Sequence, residues 1–259
     1  MGLNQMCRTA LATACFCLAL LTAGCGEIKD IGEEMGWIEA PATPSSATFV
    51  TPSLDAHWLP ADTTVADVSQ AQWSARWWQW AARFPNVNEL PYRDPDGRRC
   101  AQFQEDGPVW FLAGTDGNFD AVRSCTIPAG KHLFVPLINW VVARGLQEIP
   151  ISCEEKAAQA AQMADHVTSA LVLLDGRPLG ELKRMRVASG GCFDSFSGSP
   201  PGATDGYWLM LKPLPPGKHQ LAIAASYRDG PRQMLQNFRY ELEVEGEAGG
   251  ADATAGAVE

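Results

Sequence analysis

Residues 73–84 constrain the fold more than any other part of the chain. Trp73, Trp77, Trp80, Ala81 and Phe84 fall at i, i+4, i+7, i+8 and i+11, the spacing that stacks side chains on one helical face. The pattern predicts a helix over Val65–Phe84, stopped by Pro85. Ser69 with Gln72, or Thr64 with Asp67 one turn earlier, would cap its start. A stripe of three indoles and a phenyl ring needs a broad apolar surface opposite it. Trp78, one residue on from Trp77, widens the stripe. An aromatic platform for sugar rings is the rival use of Trp78, but the spacing favours burial in a core.

The surface that such a helix needs is available in strands. From Phe238 to Glu245 the chain alternates: Phe238, Tyr240, Leu242 and Val244 on one side, Arg239, Glu241, Glu243 and Glu245 on the other. Further strands are predicted at Gly107–Gly114, at His132–Val142 with Pro136 at a bulge or edge, at Tyr207–Leu211 and at His219–Ser226. Asp175-Gly176 between apolar runs predicts a hairpin turn. Alanines at 157, 158, 160, 161 and 164 predict a second helix from Cys153 to about Ser169. With 24 glycines and 18 prolines for turns, the expected fold is mainly β: an antiparallel β-sandwich with two packed helices, stapled by disulfides.

The ends of the chain suggest its address. One base, Arg8, precedes the apolar run Thr9–Leu21, a signal-peptide pattern too short to span a bilayer. Leu21-Thr22-Ala23-Gly24-Cys25 resembles the lipobox of bacterial lipoproteins, with Thr22 where Leu is usual. That resemblance implies cleavage after residue 24, acylation of Cys25 and, with Gly26 following it, retention at the outer membrane. The expected organisation is a signal peptide at 1–24, a lipidated cysteine and Pro/Ser/Thr-rich tether at 25–62, one β-rich domain at 63–245 and an acidic Gly/Ala-rich tail at 246–259. Cleavage removes Cys7, Cys15 and Cys17. It leaves Cys100, Cys125, Cys153 and Cys192 for an oxidising compartment. Three pairings exist; short loops favour Cys100–Cys125 with Cys153–Cys192.

The chain carries 30 acids against 20 Lys and Arg, a net charge of −10, and loss of Arg8 makes the mature chain more acidic still. This excludes nucleic acid as an electrostatic partner. No Cys-x-x-Cys, His-x-His or His-Glu-x-x-His is present, so no metal and no cofactor are expected. Asp116-Gly-Asn-Phe-Asp120 begins like a calcium loop, but Ala121 and Ile127 stand where glycine and an acid are needed, which leaves an Asx-type turn. Gly-x-Ser-x-Gly and the phosphate-binding glycine patterns are absent. Candidate binding residues are Trp78, the loop acids Asp94 and Asp205, and His132.

Trp73-Ser-Ala-Arg-Trp-Trp-Gln-Trp80, Gly107-Pro-Val-Trp-Phe-Leu-Ala-Gly-Thr115, Cys125-Thr-Ile-Pro-Ala-Gly-Lys131 and the segment Asp205–His219 resemble a family of bacterial secreted β-rich proteins of unassigned activity. The resemblance implies one exported, β-rich domain and supplies no catalytic residues to carry over. The reading that follows is a binding or scaffolding module of the cell envelope, held at the membrane by its lipid, with a glycan or protein partner. The alternatives are an envelope hydrolase acting on glycan or peptide, in which acids and a histidine would converge, and a purely structural envelope protein.

Overall fold

The computed structural model describes residues 57–145, 148–196 and 198–246. Cys25, the signal-peptide region, most of the tether and the tail from 247 onward lie outside the described residues. In chain order, β1 (Trp58–Leu59) and the short pair β2 (Thr64–Val65) and β3 (Val68–Ser69) lead into α1 (Gln70–Ala81). Then come β4 (Val109–Phe111), β5 (Ala121–Ile127), β6 (His132–Val142), α2 (Cys153–Asp165), β7 (Val167–Leu174) and β8 (Arg177–Pro178). Strands β9 (Arg186–Ala188), β10 (Ala203–Leu211), β11 (Gly217–Asp229) and β12 (Arg232–Val244) complete the described chain.

The strands form two large sheets. One runs β1-β10-β6-β4, with β9 also on β10; the other runs β5-β12-β11-β7-β8. Neighbours are antiparallel except at two sheet edges, where β4 runs parallel to β6 and β5 parallel to β12. Leu133, Val135, Leu209 and Leu211 of the first sheet meet Leu221, Ile223, Phe238 and Leu242 of the second in one core. The other face of the first sheet, with Phe111, Phe134, Trp208 and Met210, is covered by α1. The first sheet is therefore buried on both sides, which explains why β6 reads as an almost unbroken apolar run.

Local chemistry sets the helix ends, and here the structure shortens both predictions. Residues 64–69 form a hairpin instead of a first helical turn, with Ala66 and Asp67 at φ 49° and 60°. Ser69 is the N-cap: its hydroxyl accepts from the Gln72 N–H, and the Gln72 side chain accepts from the Ser69 N–H. Such a cap contributes ~1 kcal/mol. Helix α2 begins at the matching Ser152–Glu155 box and ends at Asp165, four residues early. The β-branched Val167 and Thr168 that follow fit a pleated strand better than a helix, and Val167 opens β7. The sheet also starts sooner than the expected domain boundary: Trp58 and Leu59 pair with Leu211 and Met210. Both disulfides pair near neighbours, Cys100–Cys125 and Cys153–Cys192. The first fastens the loop before β4 to the β5 edge, and the second fastens the start of α2 to the chain after β9.

One segment joins the sheets without being a strand. After Leu112 donates its N–H to Phe134 (3.0 Å), residues 112–115 leave the ladder, yet they remain buried. Side chains replace the lost pairing. The Trp77 indole donates to the Leu112 carbonyl (2.8 Å). The Tyr240 hydroxyl accepts from the Ala113 N–H (3.0 Å) and lies 2.9 Å from the Ala113 carbonyl. Gln236 accepts from the Thr115 N–H (2.9 Å) and donates to the Thr115 carbonyl (2.6 Å), as a neighbouring strand would. Arg123, 1% exposed, donates to the carbonyls of Ala113 and Asp94, both at 2.6 Å, with its guanidinium 5.4 Å over the Tyr240 ring.

Removing the Tyr240 hydroxyl strands the buried Ala113 N–H. Tyr240→Phe is expected to lower stability by ~1–3 kcal/mol, the cost of an unpaired buried polar group. A urea titration would show this as a lower midpoint at constant slope. An unchanged midpoint would mean that the clasp contributes nothing.

Candidate functional site

The clasped segment forms one wall of a cavity of about 210 Å³. Helix α1 brings Trp77 and Trp78; the 3-10 turn Pro91–Arg93 brings Tyr92; β6 brings residues 136–140; β12 brings Met234 and Gln236; and Gly114, Thr115 and Asp116 come from the clasp. Two of the four motif segments noted in the sequence line it, α1 and residues 107–115, and Gly206 of a third pairs with the lining residue Asn139 across the ladder.

A bulge in β6 creates the polar wall. Tyr207 faces Ile138 and Trp208 faces Pro136, so Leu137 has no partner across the strands. Pro136 has no N–H to give to a ladder, which makes this a low-cost place for an extra residue. The slip changes which side chains face which layer. Before the bulge Leu133 and Val135 face the second sheet, and after it Ile138 does. Asn139 is thereby turned towards the cavity beside α1. Opposite it, Gly206 leaves the space that Asn139 fills: a Cβ there would lie 2.5 Å from the Asn139 Cα and 2.6 Å from its Cβ.

The cavity is aromatic with a small polar set. Trp77 and Trp78 meet at 88° with centroids 5.0 Å apart, and Tyr92 packs on Trp78 at 67° and 6.2 Å. The Trp78 indole N–H is used by Thr204 (2.9 Å), so its ring alone is offered to the cavity. Asp116 is held by Arg93 (3.4 Å) and accepts the Asn118 N–H (3.1 Å). Burial pushes the Tyr92 phenol up; nearby Arg93 opposes this and Asp116 adds to it, so the phenol stays neutral. Asn139 Nδ2 is buried and has no protein partner, and it is the one such side-chain nitrogen among the described residues that lines this cavity. The lining holds one carboxylate, Asp116, and no histidine, cysteine or lysine.

Of the four candidates named from sequence, Trp78 alone lines this cavity. It also belongs to the core beneath α1, as its spacing suggested. Asp94, 2% exposed, accepts the N–H groups of Asp96 and Arg99 and shapes its own turn. Asp205 corrects a prediction. It sits inside β10, which begins at Ala203, not in a loop, and Arg186 binds both of its oxygens (3.2 and 3.0 Å). Arg186 also reaches Asp165 at the end of α2, so this ion group joins β9, β10 and α2. His132 opens β6, and its Nδ1 is buried without a partner among the described residues. The three polar candidates thus serve three separate local structures. No group of three or more His, Cys, Asp or Glu suited to a metal occurs among the described residues. Asp116–Asp120 forms the expected Asx turn, with Gly117 at φ 81°.

Sequence reasoning missed Tyr92, Asn139, Trp140 and Gln236. The clearest available signal was Asn139 itself, one amide within Leu-Phe-Val-Pro-Leu-Ile-Asn-Trp-Val-Val, three residues after a proline.

No family model and no curated protein matches the chain. A structure titled "Solution Structure of Amebosin" is similar at 15% identity over 54% of this chain and 100% of that one, with a TM-score of 0.22, a likeness too slight to carry an argument. No helix among the described residues is long and apolar enough to cross a membrane.

His132 has a pH signature of its own. Burial lowers its pKa, and the hydrogen bond with Pro108 opposes this more weakly. The folded state therefore resists protonation. The stability tied to a neutral His132 is complete above the unfolded value of ~6.5 and is lost as pH falls through the lower folded value. His132→Gln is expected to flatten the loss of melting temperature below about pH 6.5. An identical pH profile in the variant would contradict this assignment.

Proposed function

We propose that this chain is a lipid-anchored binding module of the bacterial cell envelope that holds a small ligand in the cavity between α1, β6 and β12. The observation that carries the reading is Asn139. A buried amide without a protein partner costs roughly 1–3 kcal/mol. A bulge and a glycine place it on an aromatic wall, which is the composition of a ligand pocket: mostly apolar, with a few placed polar groups. The anchor rests on the resemblance at Leu21–Cys25, and disulfides are the usual staples of an exported domain. The hydrolase reading has less behind it: Asp94 and Asp205 are held in their own local structures, and the cavity offers a single carboxylate. The His219–Asp175 pair (2.8 Å) lies in a separate cleft of about 490 Å³, and the other His219 ring nitrogen is taken by the Pro215 carbonyl (2.9 Å).

Two linked measurements test this reading. Cys25→Ala is expected to abolish labelling by a palmitate analogue in cells; persistent labelling would remove the anchor. The detergent-extracted full chain is expected to melt at a higher temperature with a digest of envelope glycan and peptide, because a ligand of the native state stabilises by mass action. Asn139→Leu should remove the shift. No shift, or the same shift in the variant, would overturn the cavity as the binding site.

A further inference from the structure

We infer that the ligand of this cavity is a single uncharged pyranose ring, stacked in the corner of Trp78 and Tyr92 with its polar edge on Asn139. The inference rests on the binding reading above and names its ligand class.

Size comes first. The cavity of about 210 Å³ holds roughly seven waters at ~30 Å³ each, below the ~300–1,000 Å³ of pockets for drug-sized ligands. One ring with its substituents fits; a peptide or an oligosaccharide would enter by one terminal unit only.

Charge comes second. Asp116 is the one carboxylate on the wall, and Arg93 already neutralises it (3.4 Å). No basic side chain lines the cavity. An anion would find no cation, and a cation would have to take Asp116 from Arg93. A neutral ligand leaves that pair intact.

Shape comes third. Trp77 and Tyr92 stack on each other (24°, 6.5 Å), too close to admit a ring between them, and Trp78 stands across both at 88° and 67°, so the walls form a corner rather than an open slot. A flat nucleobase gains most between parallel faces. A chair-shaped ring instead presents C–H groups to an aromatic face and hydroxyls around its edge. Polar atoms stand where such an edge would reach. Asn139 Nδ2 has no partner among the described residues, and Tyr92 lines the same cavity. The Asn139 amide carries a donor and an acceptor, the pair that a hydroxyl or an acetamido group uses. The Trp140 ring, fixed against Tyr227 at 5.1 Å, lines the same space from β6.

The test is calorimetric titration of the detergent-extracted full chain with glucose, galactose and N-acetylglucosamine, beside choline and adenine as controls of equal size. At least one monosaccharide is expected to bind. Asn139→Ala should weaken it about tenfold, the loss of one buried hydrogen bond. Gly206→Ala, which displaces Asn139 from across the ladder, should also weaken it while the circular dichroism spectrum is retained. Binding of choline or adenine without any sugar would overturn the ligand class and leave the binding module standing. Sugar binding unchanged in both variants would overturn the site. Binding of none of the five, together with no shift from the envelope digest, would overturn both readings.

Discussion

Residues 112–115 have left a β-ladder but not the protein interior, and their peptide groups must be paired or the sandwich loses several hydrogen bonds at its centre. Four side chains from three directions do the pairing: Trp77 from α1, Arg123 from β5, and Gln236 and Tyr240 from β12. Because these donors and acceptors belong to different layers, satisfying one short backbone segment also fixes how the helix and both sheets sit together. Arg123 shows how demanding the position is. Among the described residues no carboxylate pairs with its buried charge, which is spread over two carbonyls and an aromatic face. These contacts offset much of the cost of burying a cation, although Nη2 of Arg123 is buried without a partner among the described residues.

The cavity is a by-product of this clasp and of the neighbouring bulge. Gly114 and Thr115 are held against β12, Pro136 breaks the register of β6, and Gly206 makes room for Asn139. Each device is small and weakens regular pairing. Together they open a polar notch in a sheet whose faces are largely apolar. This is a place where local rules give way within a well-packed fold, the usual mark of a site.

Much of the architecture could be read from periodicity. The alternation at 238–245 gave the inner face of β12, Asp175-Gly176 gave the β7–β8 turn, and Pro136 did mark a bulge. The helix ends were less legible, because Ala66 and Asp67 adopt a left-handed turn that no glycine announces. The site was hardest to read for a physical reason. Its residues lie on five separate segments, and Asn139 faces the cavity only because the bulge shifts the phase of β6. Alternation read without the bulge puts Asn139 on the wrong face. Conversely, Asp205 looked like a loop acid because Asp-Gly usually marks a turn, whereas here Gly206 is the strand residue that faces Asn139.

Native-state hydrogen exchange at the Ala113 and Thr115 amides tests the clasp most directly. Both lie outside any strand and donate only to side chains, Tyr240 and Gln236. If these side chains hold the layers together, both amides exchange only on global unfolding, as slowly as the ladder amides of β6. Exchange at the rate of a surface loop would contradict the clasp, and with it the origin of the cavity.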